Sequence, residues 1–283
     1  MQVSTEFVPV LDAPTRAEVQ AVADAIMARA GEPPLSDQAL TQLASPDVDH
    51  LLAHRDDRLV GYAQRDGTTL ELAGDAAAVT ALLDAVEARG AGDLRVWSHG
   101  IRSPVGAVLE ARGYERVRLL HQLRRNLAEP LPKIELADGV TVRTFQPGRD
   151  EQAWLRVNSA AFATHAEQGR WTFGDLAARE AEPWFDPAGF LLAVRGAELL
   201  GFHWTKIHAD GTGEVYVLGV DPAAQGLRLG PALLVRGLAH LAQRGCDEAL
   251  LYVDDDNAGA MGLYERLQFH SHDADSQWRR TGS

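Results

Sequence analysis

Cysteine, excess positive charge and long apolar segments are all missing from this chain of 283 residues. The single cysteine, Cys246, excludes an intrachain disulfide and any metal site built from several cysteines. No apolar run approaches the length that spans a membrane, and the first residues, Met1–Glu6, lack the basic and apolar regions of a secretion signal. We therefore expect a cytoplasmic protein in which Cys246 is a structural thiol.

The charge balance is acidic, with 40 acidic against 27 basic residues and a formal net charge of −13 at pH 7. A surface of this sign repels polyanions, which argues against nucleic acid and against an anionic membrane surface as partners. It suits a small cationic ligand such as an amine, although an acidic surface also serves solubility alone. The composition is otherwise that of a globular protein, with 46% hydrophobic and 24% charged residues.

The chain divides near its middle into two halves that repeat one pattern. Two prolines prevent a helix in residues 129–138, and the turn dipeptide Asp138-Gly139 follows. Residues 50–62 and 190–202 form hairpin patterns of equal length, and each is followed by a long helix, a strand, a shorter helix and an aromatic turn. Chance similarity is the alternative, but the order of elements matches as well. We predict two copies of one domain, at 1–128 and 139–283, joined by the linker 129–138.

Each half reads as an α/β domain of the α+β type, with a mixed, mostly antiparallel sheet flanked by helices. Apolar spacing and capping residues place the helices. They are predicted at Pro14–Ala30, Ser36–Leu43, Asp150–Phe162, Thr172–Glu180 and Gly230–Arg244.

The most informative segment runs from Gly213 to Phe269. A strand, Gly213–Val220, leads into a glycine-bearing turn and a long helix, and a second strand is followed by Asn257 and a helix that carries Tyr264. Backbone N–H groups and the dipole at a helix N-terminus together suit a pyrophosphate. This order of motifs resembles the acetyl-CoA-binding core of the GNAT acetyltransferase superfamily.

Two further segments sharpen the resemblance. The segments His-x-Glu-Gln-Gly at 165–169 and Gly-Phe-His-Trp-Thr-Lys at 201–206 are similar to those of the mycothiol synthase family, whose members are tandem GNAT proteins. The resemblance implies that acetyl-CoA donates an acetyl group to the cysteinyl amine of desacetylmycothiol, a small molecule, with no metal. It also implies a cofactor site at Leu218, Gly219, Val220, Gln225, Gly226, Leu227, Arg228, Leu229, Gly230, Pro231, Asn257, Ala258, Gly259, Ala260, Met261 and Gly262.

The phosphate turn departs from the family pattern. The usual glycine three places after Gln225 is Arg228, while a glycine stands early, at Gly226. Glycine is favoured in such turns because the backbone must come close to phosphate. Either Arg228 adds charge to the phosphate, or the turn has shifted its register.

Glu214 is our candidate for the general base. An α-amine attacks a thioester only when neutral, and such amines titrate at about 7.7–8.0, so a carboxylate that accepts the proton assists the reaction. Strand alternation is expected to put Glu214, Tyr216 and Leu218 on one face. The alternative is a glutamate that faces solvent.

Tyr264 is the candidate general acid for the CoA thiolate. Its alternative role is a core aromatic that packs the last helix, and Asn257 is expected to cap that helix. The resemblance adds Asp37, Glu167, Lys206 and Tyr252, with Glu214, as groups that bind the acceptor. Each is more often a surface residue, and Asp37 also fits an ordinary helix start. The spacing of His165 and His203 indicates no metal site.

The first half lacks the phosphate turn. Residues 69–79 take its place, and the helix begins directly after Gly74-Asp75. We expect that half to be a degenerate copy, and the protein to be a monomer. Two other functions stay open: a GNAT enzyme that acetylates another amine, and a catalytically silent acyl-CoA-binding protein. The second is suggested by Arg228, which stands in the phosphate turn where the family has glycine.

Overall fold

The computed structural model describes residues 3–90, 92–163 and 168–280. Its contacts divide the chain into two compact units. Unit 1 holds the residues up to Gln122, together with Asp254–Asp256 and the residues from His272 onward. Unit 2 holds Leu123–Val253 and Asn257–Ser271. The domain bounds 1–128 and 139–283 stay a prediction, and the two units differ from them chiefly in the place of the last strand.

The helices and strands alternate in a pattern that recurs in the two halves of the chain. In chain order they are β1 (Ser4–Val8), α1 (Ala13–Ala30), α2 (Asp37–Thr41), β2 (Asp49–Arg55), β3 (Arg58–Asp66), β4 (Thr69–Gly74), α3 (Ala76–Ala88), β5 (Arg95–Ser98), α4 (Pro104–Ala111), β6 (Tyr114–Asn126), β7 (Thr141–Thr144), α5 (Glu151–Ala161), α6 (Phe173–Glu180), β8 (Phe190–Arg195), β9 (Glu198–Ile207), β10 (Gly213–Val220), α7 (Leu229–Gln243), β11 (Glu248–Asp254), α8 (Ala258–Arg266) and β12 (His270–Arg280).

The sheet of unit 1 runs in the order β1-β2-β3-β4-β5, and β12 follows β5. Strands β4 and β5 are parallel, whereas β12 joins β5 antiparallel, with Ser276 opposite Ser98. The buried residues Leu70 and Leu72 of β4 pack in one core with α3 residues such as Leu82. Side chains on the other face of the sheet pack with α1 and α2.

A buried ionic network also holds unit 1 together. The imidazole of His99 lies 3.2 Å from a Glu71 oxygen and 3.1 Å from an Asp275 oxygen. Ser36 donates both its backbone N–H and its hydroxyl to Glu71, each at 2.7 Å. Burial by itself would lower the pKa of His99, but its hydrogen bonds to Asp275 and Glu71 raise that pKa to about 10. His99 is therefore a cation at neutral pH.

The sheet of unit 2 contains the order β11-β10-β9-β8-β7. Strands β10 and β11 are parallel, and the pairs from β10 through β7 are antiparallel. An aromatic core covers one face, where Trp204 stacks on Phe190 with ring centres 4.4 Å apart and Trp154 meets both rings edge-on. Helix α7 covers the other face.

The contact of α7 with the sheet requires a glycine. A Cβ atom on Gly237 would lie 2.0 Å from Cε1 of the His203 ring. That ring is fully buried, burial lowers the pKa of His203 to about 4, and the neutral ring donates from Nδ1 to the carbonyl of Leu233 over 3.0 Å. Gly237 and His203 thus set the close approach of α7 to β9.

The predicted fold class is confirmed: each unit has a mixed, mostly antiparallel sheet with helices on its faces. Four of the five helices begin and end within one residue of the predicted positions, and two of these four have side-chain caps that the sequence signals locally. Asp12 caps α1, and Thr172 and Asp175 form a reciprocal capping box at α6. Helix α2 is shorter than predicted because a 3-10 turn, Gln42–Ala44, replaces its end.

Candidate active site

The site begins where two parallel strands separate. Pairing between β10 and β11 covers only Gly213 with Ala249 and Glu214 with Leu250. Beyond this point β10 continues to Val220 and pairs with β9 on its opposite edge. The predicted cofactor residues Leu218, Gly219 and Val220 lie in this separated part. A ligand lying between the two strands could use the backbone groups that β11 does not pair.

The turn after β10, predicted to hold phosphate, is exposed and contains a glycine in the left-handed region. Asp221 caps a 3-10 helix at Pro222–Ala224, and Gln225 and Gly226 follow as exposed residues. Gly226 has φ of +88°, and a Cβ atom there would meet nothing within 4 Å. Space for a ligand therefore lies next to the turn.

Arg228 takes the left-handed conformation that glycine usually supplies. Its φ is +55° and its ψ is +31°, and it stands at the N-cap of α7 with its side chain exposed. An ordinary residue rarely adopts this region, so the turn keeps the geometry of a glycine at the cost of some strain. Leu229, Gly230 and Pro231 form the first turn of α7.

The second helix N-terminus lies after β11. Asn257 caps α8, as predicted, and its side chain accepts from the N–H of Ala260 over 3.1 Å. Small residues fill the first turns of this helix, so its backbone stays open to close approach. They are Ala258, Gly259 and Ala260, followed by Met261 and Gly262. Because β10 and β11 are parallel, both helix N-termini follow the same edge of the sheet.

Glu214 lies at the start of β10, at the last pair before the strands separate. Its side chain is 10% exposed, and one of its oxygens lies 2.8 Å from Nε2 of His208. Lys206 of β9 is its direct partner across the antiparallel pair. Glu214 is therefore buried, hydrogen-bonded and next to a cation.

The expectation that Glu214, Tyr216 and Leu218 share a face is wrong for Leu218. A β-bulge places Tyr216 as an extra residue between Val215 and Val217. The bulge interrupts strict alternation, so Tyr216 and Val217 both join the aromatic core while Leu218 packs with the residues of α7. Glu214 and Tyr216 keep the same face.

Lys206 lies among aromatic rings. Its ammonium is 5.2 Å from the ring centre of Trp184 and 5.7 Å from that of Tyr216. The hydroxyl of Tyr216 in turn accepts from Arg179 over 3.1 Å. Such contacts hold a lysine side chain in one position, since the ring faces attract the cation.

Tyr252 shares the sheet face of Glu214. On β11, Leu251 and Val253 pack with α7, so Tyr252 points to the opposite face, where it is 43% exposed. That face is the face of Leu250, the register partner of Glu214. The structure thus brings three of the predicted acceptor-binding residues to one face: Glu214, Lys206 and Tyr252.

Of the other two predicted acceptor-binding residues, one lies in the described part of the chain and one does not. Asp37 is an exposed residue of unit 1 in the first turn of α2, where Ser36 is the N-cap. Glu167 lies outside the described residues, as does His165. The role of each in binding the acceptor stays a prediction.

Tyr264 is a buried residue of α8 that packs edge-on against Phe269, with ring centres 5.7 Å apart. Burial raises the pKa of Tyr264 to about 12. The phenol is therefore protonated throughout the neutral range and has a proton to donate there. Tyr264 packs in the core, as its alternative role requires, and its role as the general acid stays a prediction.

His208 is a residue that sequence reasoning missed. It follows β9 by one position, and its place beside Glu214 depends on the β9–β10 register, which cannot be read from spacing. A turn signal was present, because Asp210 and Gly211 mark a hairpin loop. Pairing the two strands around that loop would have placed the histidine diagonally opposite Glu214.

The corresponding position in unit 1 is built differently. Helix α3 starts directly after Asp75, whose carboxylate caps the helix by accepting from Ala78 and also pairs with Arg55 over 2.9 Å. The helix N-terminus therefore already holds an anion of the protein, and the loop of unit 2 is absent from this place.

Comparison with known proteins identifies the family. A mycothiol acetyltransferase of Thermomonospora curvata is 49% identical over 279 residues, covering 94% of both chains. One from Geodermatophilus obscurus is 48% identical, covering 95% of this chain and 96% of its own. The chain belongs to the mycothiol acetyltransferase family. The broader acetyltransferase (GNAT) family profile matches residues 158–269.

Solved structures agree on the fold of this mycothiol acetyltransferase family member. A GCN5-related N-acetyltransferase from Sphaerobacter thermophilus has a TM-score of 0.73 at 23% identity, covering 98% of this chain and 95% of its own. A tandem GNAT protein from the clavulanic acid biosynthesis pathway has a TM-score of 0.69 at 17% identity, covering 99% and 100%. The predicted family, tandem GNAT fold and acetyltransferase class are confirmed.

No group of three or more histidine, cysteine, aspartate or glutamate side chains is arranged to hold a metal ion in residues 3–90, 92–163 and 168–280. No helix of that same part of the chain is long and apolar enough to cross a membrane.

Proposed function

We propose that this enzyme transfers the acetyl group of acetyl-CoA to the cysteinyl α-amine of desacetylmycothiol. The observation that carries the proposal is the position of Glu214, buried beside Lys206 and His208 at the point where β10 and β11 separate. A proton acceptor thus lies next to the opening that a thioester would enter. The names of the relatives supply the acceptor.

The turn and helix residues of unit 2 fit the donor. Two helix N-termini, an open glycine and a cationic Arg228 suit the phosphates of CoA, and no carboxylate caps α7 as Asp75 caps α3. When bound, acetyl-CoA supplies an acetyl group activated as a thioester. The backbone of Leu218–Val220 would hold its pantetheine arm alongside the strand.

Each catalytic residue then has one task. Glu214 removes a proton from the acceptor ammonium, because only the neutral amine attacks the thioester. Tyr264 donates to the leaving sulfur. Thiols titrate at about 8.5, and burial raises the pKa of Tyr264 to about 12, so the phenol stabilises the developing charge chiefly through a hydrogen bond.

Lys206 and Tyr252 are the acceptor-binding groups on the face of Glu214. The acceptor carries many hydroxyls, which pair with an ammonium donor and with a phenol. The rings of Trp184 and Tyr216 hold the lysine in place for this contact.

The decisive test measures CoA release with desacetylmycothiol and with other amines. The catalytic efficiency with desacetylmycothiol should exceed that with free cysteine or glucosamine by about 100-fold or more, since each lost hydrogen bond to a charged group is worth about 1.5–3 kcal/mol. An equal preference for an unrelated amine would overturn the acceptor assignment and leave the acetyltransferase assignment intact.

Substitution of Lys206 tests the same proposal from the side of the protein. Lys206→Ala should raise the KM for desacetylmycothiol by about 5- to 150-fold and leave the KM for acetyl-CoA nearly unchanged. The sequence contains two lysines, Lys133 and Lys206, so Lys133→Ala in the linker is a matched control. A Lys206→Ala enzyme with the acceptor KM of the Lys133→Ala control would show that the lysine does not bind the acceptor.

A further inference from the structure

His208 connects the buried Glu214 with solvent. The Nε2 atom of His208 lies 2.8 Å from an oxygen of Glu214, and the side chains are 31% and 10% exposed. One end of this hydrogen bond is therefore inside the site and the other reaches water.

The hairpin loop fixes the position of this histidine. The N–H of His208 donates to the carbonyl of Thr212 over 2.9 Å, and the N–H of Gly211 donates to the carbonyl of His208 over 2.9 Å. Gly211 has φ of +88°, which suits the tight turn. Since Glu214 is opposite Lys206 and His208 lies two residues after Lys206, just past the end of β9, the histidine is the diagonal neighbour of Glu214 on the same face.

The charges around the pair favour proton movement toward His208. Lys206 lies across from Glu214 and, as an ammonium, has no lone pair to take a proton. Asp210 is the acidic neighbour of His208 within the loop. Imidazole exchanges protons with water near neutral pH, which makes histidine the usual proton shuttle.

The proton balance of the proposed reaction requires such a path. Below the amine pKa of about 7.7–8.0, the acceptor arrives as an ammonium and leaves as an amide with one N–H, so its nitrogen loses two protons. One proton ends on the CoA thiol. The other must pass from the buried Glu214 to solvent in every turnover.

We propose that His208 is the proton relay of this site, an inference that rests on the proposed function. Glu214 takes a proton from the acceptor nitrogen. His208 in the tautomer that carries its proton on Nδ1 then accepts this proton at Nε2 from the carboxyl oxygen of Glu214. The imidazolium formed in this way loses a proton to water or buffer at its solvent-facing nitrogen, and the ring recovers its starting tautomer by exchange with water. The relay involves no oxidation or reduction, and it releases one proton to solvent per turnover.

Acetylation rates of His208→Gln and His208→Ala across the pH range test the proposal. Glutamine keeps a hydrogen bond to Glu214 and cannot relay a proton. Both variants should lose about 10-fold or more of kcat at pH 6.5 and approach the parent near pH 9, where the acceptor arrives neutral and brings no ammonium proton for Glu214 to pass on. The exposed His270 gives a matched control in His270→Gln.

Two more measurements separate a relay from a merely structural contact. Added imidazole should restore activity to His208→Ala at low pH, and it should do nothing for the parent or for His270→Gln. In the ligand-free protein, the Nε2 resonance of His208 should move in Glu214→Gln and that of His270 should not. A deficit that is equal at pH 6.5 and pH 9, without rescue by imidazole, would overturn the relay.

These measurements also distinguish a failure of the relay from a failure of the proposed function. If the true acceptor is another amine, the loss of kcat in the His208 variants should still decrease with rising pH. The midpoint of that decrease should then lie at the pKa of the other amine. If Glu214→Gln is as active as the parent, the base assignment fails first and the relay fails with it. A parent-like His208→Gln alongside an inactive Glu214→Gln would refute the relay alone.

Discussion

At the scale of single residues, the proposal depends most on Glu214. Glu214→Gln keeps the shape of the side chain and the hydrogen bond to His208 but removes the capacity to accept a proton. The rate near neutral pH should fall by about 10²- to 10⁴-fold, with the dissociation constant of acetyl-CoA nearly unchanged. The exposed Glu198 on the neighbouring strand offers Glu198→Gln as a control. A parent-like rate from about pH 6 to 9, on both sides of the amine pKa, would contradict the assignment.

Arg228 offers a second test at the scale of single residues. Substitutions can separate the effect of its backbone conformation on stability from the effect of its charge on acetyl-CoA binding. Its φ of +55° is unfavourable for any side chain with a Cβ, so Arg228→Gly should be more stable than Arg228→Ala by about 1 kcal/mol. Urea unfolding measures this difference. If the charge contacts phosphate, both variants should raise the KM for acetyl-CoA alike. Equal stability of the two variants would mean that the residue is not held in the left-handed region.

At the scale of helices and strands, the local signals in the sequence were sufficient where caps and periodicity decide. Helix α7 was predicted at Gly230–Arg244 and lies at Leu229–Gln243, because its apolar spacing and Pro231 are properties of the segment itself. The bulge at Tyr216 could not be predicted, since it depends on how β10 pairs with β9. The same holds for His208, whose contact with Glu214 arises from the hairpin register.

The His99 network ties β12 to β4 and α2, and it predicts how stability depends on pH. The pKa of His99 is raised to about 10 by its carboxylate partners, so its contribution is complete below the unfolded value of about 6.5 and is lost as the pH rises through about 10. The pKa of Glu71 is instead lowered: burial opposes this, but hydrogen bonds from His99 and Ser36 prevail. Its contribution is lost toward low pH.

The variant His99→Gln removes the cation and leaves two buried carboxylates without it. At pH 7 it should lower the free energy of unfolding by about 3–5 kcal/mol, the cost of breaking a buried pair. The difference from the parent should shrink as the pH approaches 10. Urea unfolding at pH 7, 8.5 and 10 measures this difference in the free energy of unfolding. His121→Gln is the control, because His121 pairs with the exposed Asp255 and such pairs contribute at most about 1 kcal/mol. A difference that does not change with pH would contradict a charged His99.

At the scale of the whole molecule, the repeat of the halves was visible in the sequence because each half has its own hairpin and closing aromatic turn. The place of the last strand was not visible. Residues from His272 onward belong with unit 1, where β12 pairs with β5 and Asp275 meets His99. These are contacts between segments more than 170 positions apart, which no local pattern encodes.

We expect unit 2 to bind acetyl-CoA and unit 1 not to bind it. In unit 2 the end of β10 leads into a loop with an open glycine and a cation before α7, whereas in unit 1 the Asp75 carboxylate already caps α3 and pairs with Arg55. A phosphate at α3 would meet that negative charge, while one at α7 would meet Arg228 and free N–H groups. Titration calorimetry with acetyl-CoA should therefore find one tight site per chain. Arg228→Ala should weaken that site and Asp75→Asn should leave it unchanged, whereas two equivalent sites in the parent would refute the description of unit 1 as a degenerate copy.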